Sequence, residues 1–163
     1  CCEEVGKYGV YDNDPSNANV YGKLYNWYVV DDERLICPEG WHVPSDLEYQ
    51  ELEIYLGMDP DEANNTGWRG TDEGGKMKES GYEHWLYPNI GATNESGFTV
   101  LPGGYRYYTD GFSDNLGSYG YFWSSMELGS TNAWARYLYY NNSEVYRNAV
   151  IKQFGFSIRC VAE

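Results

Sequence analysis

From residue 98 onward the chain repeats one pattern: short aromatic and β-branched runs, each broken off by Gly, Asn or Ser. The runs are FTVL (98–101), YGYFWSS (119–125), NAWARYLYY (132–140), SEVYRNAVI (143–151) and FGFSIRCV (154–161). Runs of this kind between turn residues predict strands, and such short connections join antiparallel neighbours. The best helix signal lies upstream, in HVPSDLEYQELEIYLG. There Ser45 and Glu48 form an S-x-x-E capping box, Tyr49, Leu52, Tyr55 and Leu56 make one apolar stripe, and Gly57 supplies a left-handed stop. A helix is predicted over 45–56, with TDEGGKMKES as the place for a short second one. One or two helices followed by a meandering sheet make an α+β fold, with helices packed on an antiparallel sheet.

At 163 residues the chain is read as a single domain, 1–163, in which 1–10 form a tail or the remnant of a larger protein. Residues 1 to about 20 are polar and turn-rich. VYGKLYNWYVV then reads as core, with Leu24, Trp27 and Val29 buried. From 57 to 97 the chain is mostly loop, which is unusual in a compact domain unless the fold itself carries one. With 18 Tyr, 6 Trp, 5 Phe and 19 Gly, the core is built from aromatic packing and glycine turns.

Charge excludes whole classes of partner. The net charge is -14, with 11 Lys and Arg against 25 acids. A phosphate-rich surface calls for the opposite balance, so neither nucleic acid nor an anionic membrane is expected. No run is long enough to span a bilayer, so no direct membrane insertion is expected either. The acid excess suits an extracytoplasmic protein that must stay soluble. The four cysteines, Cys1, Cys2, Cys37 and Cys160, lack metal-ligand spacing. For Cys37 and Cys160 two readings stand: two buried thiols, or a bridge closing most of the chain, which the extracellular composition favours. Cys1 and Cys2 are too close to bond each other. They would pair outside the domain, or Cys1 would be the lipid-carrying first residue of a bacterial lipoprotein.

The stretch RYLYYNNSEVYRNAV (136–150) reads as a hairpin around Asn-Asn-Ser. Side chains alternate between faces along a strand. Trp134, Arg136, Leu138 and Tyr140 share one parity with Val145, Arg147 and Ala149, and look structural. Ala135, Tyr137 and Tyr139 share the other with Glu144, Tyr146 and Asn148. Tyr offers a rigid, amphipathic contact area at low entropic cost, and Asn adds adaptable hydrogen bonds. This second face is read as a binding surface, with Tyr105, Tyr107, Tyr108 and Asp114 as a further cluster that would extend it. Trp41, Trp123 and Trp134 sit in framework runs and are expected in the core; Trp68 and Trp85, in loops, are the more open.

Taken in order, YGKLYNWYVV, CPEGWHVPSDLEYQELEIYLG, GGKMKESG, HWLYPNIGATNESGFTVLPGGYR, GSYGYFWSS and NAWARYLYYNNSEVYRNAVIKQFGFSIRCV closely resemble the Fibrobacter succinogenes major paralogous domain, a family of bacterial secreted and surface modules. The resemblance covers about residues 11 to 163. It implies a C-type-lectin-like fold, with two helices, a small antiparallel sheet and a long loop region that carries the ligand face. It also implies that first and last strands lie together, which supports a Cys37–Cys160 bridge. Two features depart from the family: its opening Trp-Met-x-Glu-Asn-Leu strand is absent, and Val10 stands where many members have Cys. Members also resemble the variable proteins of diversity-generating retroelements, which accept substitutions on one C-terminal face. By that analogy Trp134, Arg136, Leu138, Val145, Arg147, Gly155, Phe156 and Arg159 are framework. Ala135, Tyr137, Tyr139, Asn141, Asn142, Glu144, Tyr146, Asn148, Val150, Gln153 and Phe154, with Tyr107, make up the ligand surface.

Other chemistries find little support. The Glu-Pro-Asn and Trp-Asn-Asp motifs of calcium-dependent sugar lectins are absent, and YPN (87–89) lacks the acid, so no metal and no cofactor is expected. His42 follows Trp41 in a framework run, His84 sits in a Tyr/Trp loop, and no nucleophile elbow or P-loop spacing appears. A non-enzymatic module that binds protein or glycan on another cell or host surface is the leading expectation. A structural module packing on other domains of its parent protein is the alternative, and a formylglycine-generating-type enzyme the remotest, since its working cysteine pair is missing.

Overall fold

The computed structural model describes residues 5–163, so the expectations for Cys1 and Cys2 lie outside the described residues. In chain order the elements are β1 (Tyr8–Gly9), α1 (Pro15–Tyr21), β2 (Leu24–Tyr25), β3 (Trp41–His42), α2 (Asp46–Tyr55), α3 (Pro60–Ala63), β4 (Gly67–Arg69), α4 (Glu73–Met77), β5 (Gly103–Arg106), β6 (Ser113–Leu116), β7 (Tyr119–Leu128), β8 (Asn132–Tyr139), β9 (Val145–Ile151) and β10 (Val161–Ala162). The fold is α+β. A six-stranded sheet of order β4-β9-β8-β7-β5-β6 forms its centre, and β1-β2 and β3-β10 are separate two-stranded pairs. Within the large sheet only β5 and β7 run parallel.

The capping box is present as predicted. Ser45 Oγ accepts from Glu48 N, while a Glu48 carboxylate oxygen accepts from Ser45 N at 2.8 Å. The buried stripe of α2 differs from the expected one. Tyr49 and Leu56 point inward and Leu52 packs half-buried against the same core, but Tyr55 is 85% exposed, and Asp46 and Glu53 take further inward positions. These acids are buried because arginines of the sheet meet them, as described below. Upstream, YDNDPSNAN is more than turns. Asp14 accepts from Ser16 N and Pro15 occupies the first helical turn, so the Asp-Pro signal starts α1.

Three further expectations are corrected. FTVL is not a strand: Thr99 has φ 54°, which no strand accommodates, and Val100 makes a single bridge to Lys78. FGFSIRCV is divided into isolated bridges at Gly155, Phe156 and Ser157 before β10 begins. The stretch from 57 to 97 is mostly loop and carries the short second helix expected in TDEGGKMKES, as α4; what the expectation lacked is α3, where Asp59 with Pro60 caps one helical turn, and β4, which pairs with β9.

The sheet is covered on both sides. On one side Tyr49, Leu56, Met58, Met77, Trp85, Val100, Phe122, Leu138 and Val145 form a core under α2. On the other, Trp27, Tyr121, Trp123, Ala133, Ala135 and Phe156 form a second. Leu24 and Trp27 are buried as expected, but Val29 is half-buried, while Asn26 is buried, its amide bonded to Lys7 N and Val5 O. Trp123 is fully buried and Trp85 nearly so, whereas Trp41 is 49% exposed on the short β3 ribbon. Trp134 is half-buried under the Arg147 guanidinium, 3.8 Å from its ring centre. Cys37 and Cys160 are bridged, with Cα atoms 5.8 Å apart. The last strand lies beside Trp41–His42, however, and the first strand, β1, pairs with Leu24–Tyr25 instead.

Candidate functional site: an aromatic ribbon across the sheet

Register decides what the hairpin displays. Tyr137 faces Tyr146 across β8 and β9, Tyr146 faces Trp68 of β4, and Tyr137 faces Tyr121 of β7. Tyr119 and Tyr139 pair one step along. The rings meet in sequence: Trp68 to Tyr146 at 5.0 Å between centroids, Tyr146 to Tyr137 at 5.2 Å, and Tyr137 to Tyr121 at 4.6 Å. Tyr119 stacks on Tyr139 at 4.3 Å. From Tyr121 the contacts continue through Tyr105 and Phe154 to Tyr107 and Tyr108. Aromatic cross-strand pairs of this kind stabilise a sheet. Burial raises the Tyr121 and Tyr137 hydroxyls above the usual tyrosine range, so both stay protonated donors. The Tyr121 oxygen accepts from Asn115 Nδ2 at 2.7 Å.

A basin of about 480 Å³ opens at the Trp68 end, lined by Trp68, Asn115, Tyr119, Tyr121, Tyr137, Tyr146 and Asn148. None of these seven side chains is charged, on a chain of net charge -14. Trp68 is 37% exposed, and Asn148 is exposed beside it. What can bind here is a surface with its own apolar or CH-rich face and a few hydrogen-bonding groups for the amides and hydroxyls.

The structure divides the residues expected to form the ligand surface. Tyr137, Tyr139, Tyr146 and Asn148 lie along the ribbon, and Tyr107, Gln153 and Phe154 lie at its other end, beside a second cleft. Ala135 is fully buried between Trp123 and Asn148 and so lies outside the exposed surface, whereas Val150 is half-buried and packs partly against the same core. Asn141, Asn142 and Glu144 sit in the hairpin turn, which is tied to α4 and its flanks. Lys78 Nζ donates to the carbonyls of Ile90, Tyr139 and Asn142 at 2.8–2.9 Å, and Gly75 N donates to Ser143 O at 3.0 Å. Burial draws the Lys78 ammonium down to about 8, and those three carbonyls supply its partners. Sequence reasoning missed Tyr119, Tyr121 and Asn115 as basin residues. The parity of YGYFWSS, read against that of the hairpin, was the available signal for the two tyrosines.

The opposite face is ionic. Arg136 donates to Asp46 Oδ1 and to Glu53 Oε1, each at 2.6 Å; Arg147 donates to Asp46 Oδ2 at 2.7 Å, and Arg69 to Glu53 Oε2 at 2.8 Å. All five side chains are at most 5% exposed. Burial pushes Asp46 upward, but the hydrogen bonds and charges of Arg147 and Arg136 prevail and hold its carboxyl at about 2.

His42 Nε2 meets Glu48 at 2.6 Å, joining the capping box of α2. His84 Nδ1 lies 2.9 Å from both oxygens of Glu79. With Glu83, these two residues can bring one ligand atom each to within 4.8 Å of one another. Two carboxylates and an imidazole do not make the all-oxygen shell that calcium takes. No helix among the described residues is long and apolar enough to cross a membrane.

The profile of the Fibrobacter succinogenes major domain matches residues 1–162. No curated protein and no solved structure matches the chain.

Proposed function

The chain belongs to the Fibrobacter succinogenes major domain family, and from that premise we propose that it is a non-enzymatic ligand-binding module of an extracytoplasmic bacterial or phage surface structure, built on a C-type-lectin-like scaffold. It recognises protein or glycan through the aromatic ribbon. The observation that carries this reading is the uncharged basin lined from Trp68 to Asn115, set across β4, β9, β8 and β7 with Asn115 of β6, on a strongly acidic molecule. Rigid aromatic anchors on ordered strands lose little entropy on binding, and such anchors often carry much of an interface's energy. The Cys37–Cys160 bridge and the acid excess suit an oxidising, extracytoplasmic setting. As a diversified variable protein, its close relatives would vary at adenines of the codons on this face.

The test is a screen of the labelled protein on a glycan array and on arrayed cell-surface proteins. The wild type runs beside the pair Trp68→Ala and Tyr146→Ser. Tyr137 is left in place because it packs against the second core. The expected outcome is that wild-type hits disappear in a variant that still melts cooperatively. A folded variant that keeps every hit would place the site away from the ribbon.

A further inference from the structure

Where the ribbon ends, a cleft of about 490 Å³ lies between β1, the turn after β5 and the 153–155 loop. Arg106 of β5 lines it, in a slot formed by three glycines. A Cβ added at Gly9 would lie 2.9 Å from Arg106 Cδ and 3.0 Å from Nε; one at Gly111 would lie 2.5 Å from Nη2; one at Gly155, 2.9 Å from Cβ. Three separate segments therefore come close to this one side chain by lacking side chains of their own. Gly111 also needs glycine for its backbone, at φ +74°.

The guanidinium held this way is poorly satisfied. It carries five N–H donors in a planar fork. Among the described residues its side-chain hydrogen bond is from Nη1 to Val10 O, at a long 3.3 Å. Four other arginines, Arg34, Arg69, Arg136 and Arg147, meet carboxylates, and Arg159 lies over the Phe98 ring. Although the chain has 25 acids, no carboxylate among the described residues pairs with Arg106. The one acid in the cleft lining, Asp110, accepts from Phe112 N at 3.0 Å within its own turn. Lys7 also borders the cleft, and Tyr8, Tyr107 and Tyr108 supply aromatic walls.

We infer that this cleft is a carboxylate subsite: Arg106 receives the carboxylate through the N–H groups that Val10 O leaves without a partner among the described residues, and the tyrosine rings pack on the body of the ligand. A fixed guanidinium suits a planar carboxylate because both bonds of the fork form together. The same chemistry is presented by an acidic sugar and by the terminal carboxylate of a peptide. The inference stands apart from the ribbon reading, since it concerns a different group at the other end of the aromatic row.

The experiment follows the arginine Nε–Hε resonances of the intact protein by NMR, titrated separately with sodium glucuronate, N-acetyltyrosine and glucose at constant ionic strength. Arg106→Lys assigns the signal. The expected result is a saturable shift of the Arg106 resonance with a carboxylate compound and none with glucose, and an affinity reduced roughly tenfold or more in Arg106→Lys, which keeps the charge but loses the fork. A response to glucuronate alone names a sugar acid as the source; a response to N-acetyltyrosine alone names a peptide terminus. No saturable shift with either, an equal shift with glucose, or unchanged affinity in a folded Arg106→Lys overturns the inference. If that variant fails to fold, backbone assignment of the wild type and its contrast between carboxylates and glucose decide alone. The Trp68 indole signal, read in the same spectra, reports the basin independently.

Discussion

The two faces of the β8–β9 hairpin are made by alternate residues of the same strands, yet they are built on different physics. Toward α2, Arg136 and Arg147 reach Asp46 and Glu53 through short, directed hydrogen bonds, and Arg69 joins from β4. Away from α2, Tyr137, Tyr139 and Tyr146 touch other rings at varied angles, stacked in one pair and edge-on in the next. A buried charge needs each of its partners in place, because losing one leaves another uncompensated in a low-dielectric interior. Ring contacts are tolerant, since area and dispersion count more than direction. The hairpin is thus held on one side by directed ion pairs and on the other by ring contacts that do not hang on a single geometry.

The sharpest way to break this contrast is Glu53→Ala. It strips acceptors from both Arg69 and Arg136, and urea denaturation should show a loss of about 3–5 kcal/mol. A loss below about 1 kcal/mol would mean the ionic face is no more demanding than the aromatic one.

Acid should sharpen it next. Asp46 sits at about 2 in the folded protein against an ordinary 3.8. A depressed carboxyl contributes stability that is fully present above its unfolded value and is lost as pH falls through the folded one. Stability measured from pH 4 down to pH 2 should therefore fall in the wild type, and more gently in Asp46→Asn. Parallel curves would remove Asp46 from the account.

The smallest expected effect is on the other face. Asn148→Ala changes an exposed residue at the basin and should move stability by no more than about 0.5 kcal/mol while weakening whatever binding the array screen detects. A larger destabilisation would show that the aromatic face is also structural.

How much of this was legible in the sequence depends on the range of the interaction. The α2 capping box involves residues three apart, and it could be read directly from Ser45 and Glu48. The parity of the hairpin is likewise local, so Arg136 and Tyr137 were assigned to opposite faces correctly. The buried acids were not legible. Asp46 and Glu53 look like solvent-facing helix residues until Arg136 and Arg147, 90 and 101 positions away from Asp46, are known to meet them. Tyr55 was placed inward by the same error, because the apolar stripe was counted without partners that let charges go in. The basin needed β4, whose three residues are too few to declare themselves before β9 supplies the pairing.

The bridge between Cys37 and Cys160 has a mechanical consequence. Tension applied along the backbone on either side of it passes from one sulfur to the other, and residues 38–159 hang outside the line of force. The large sheet, the ionic face and the aromatic row all fall inside that covalent loop. A pull can therefore peel β1, α1 and β2 while leaving the loop's contour length unextended.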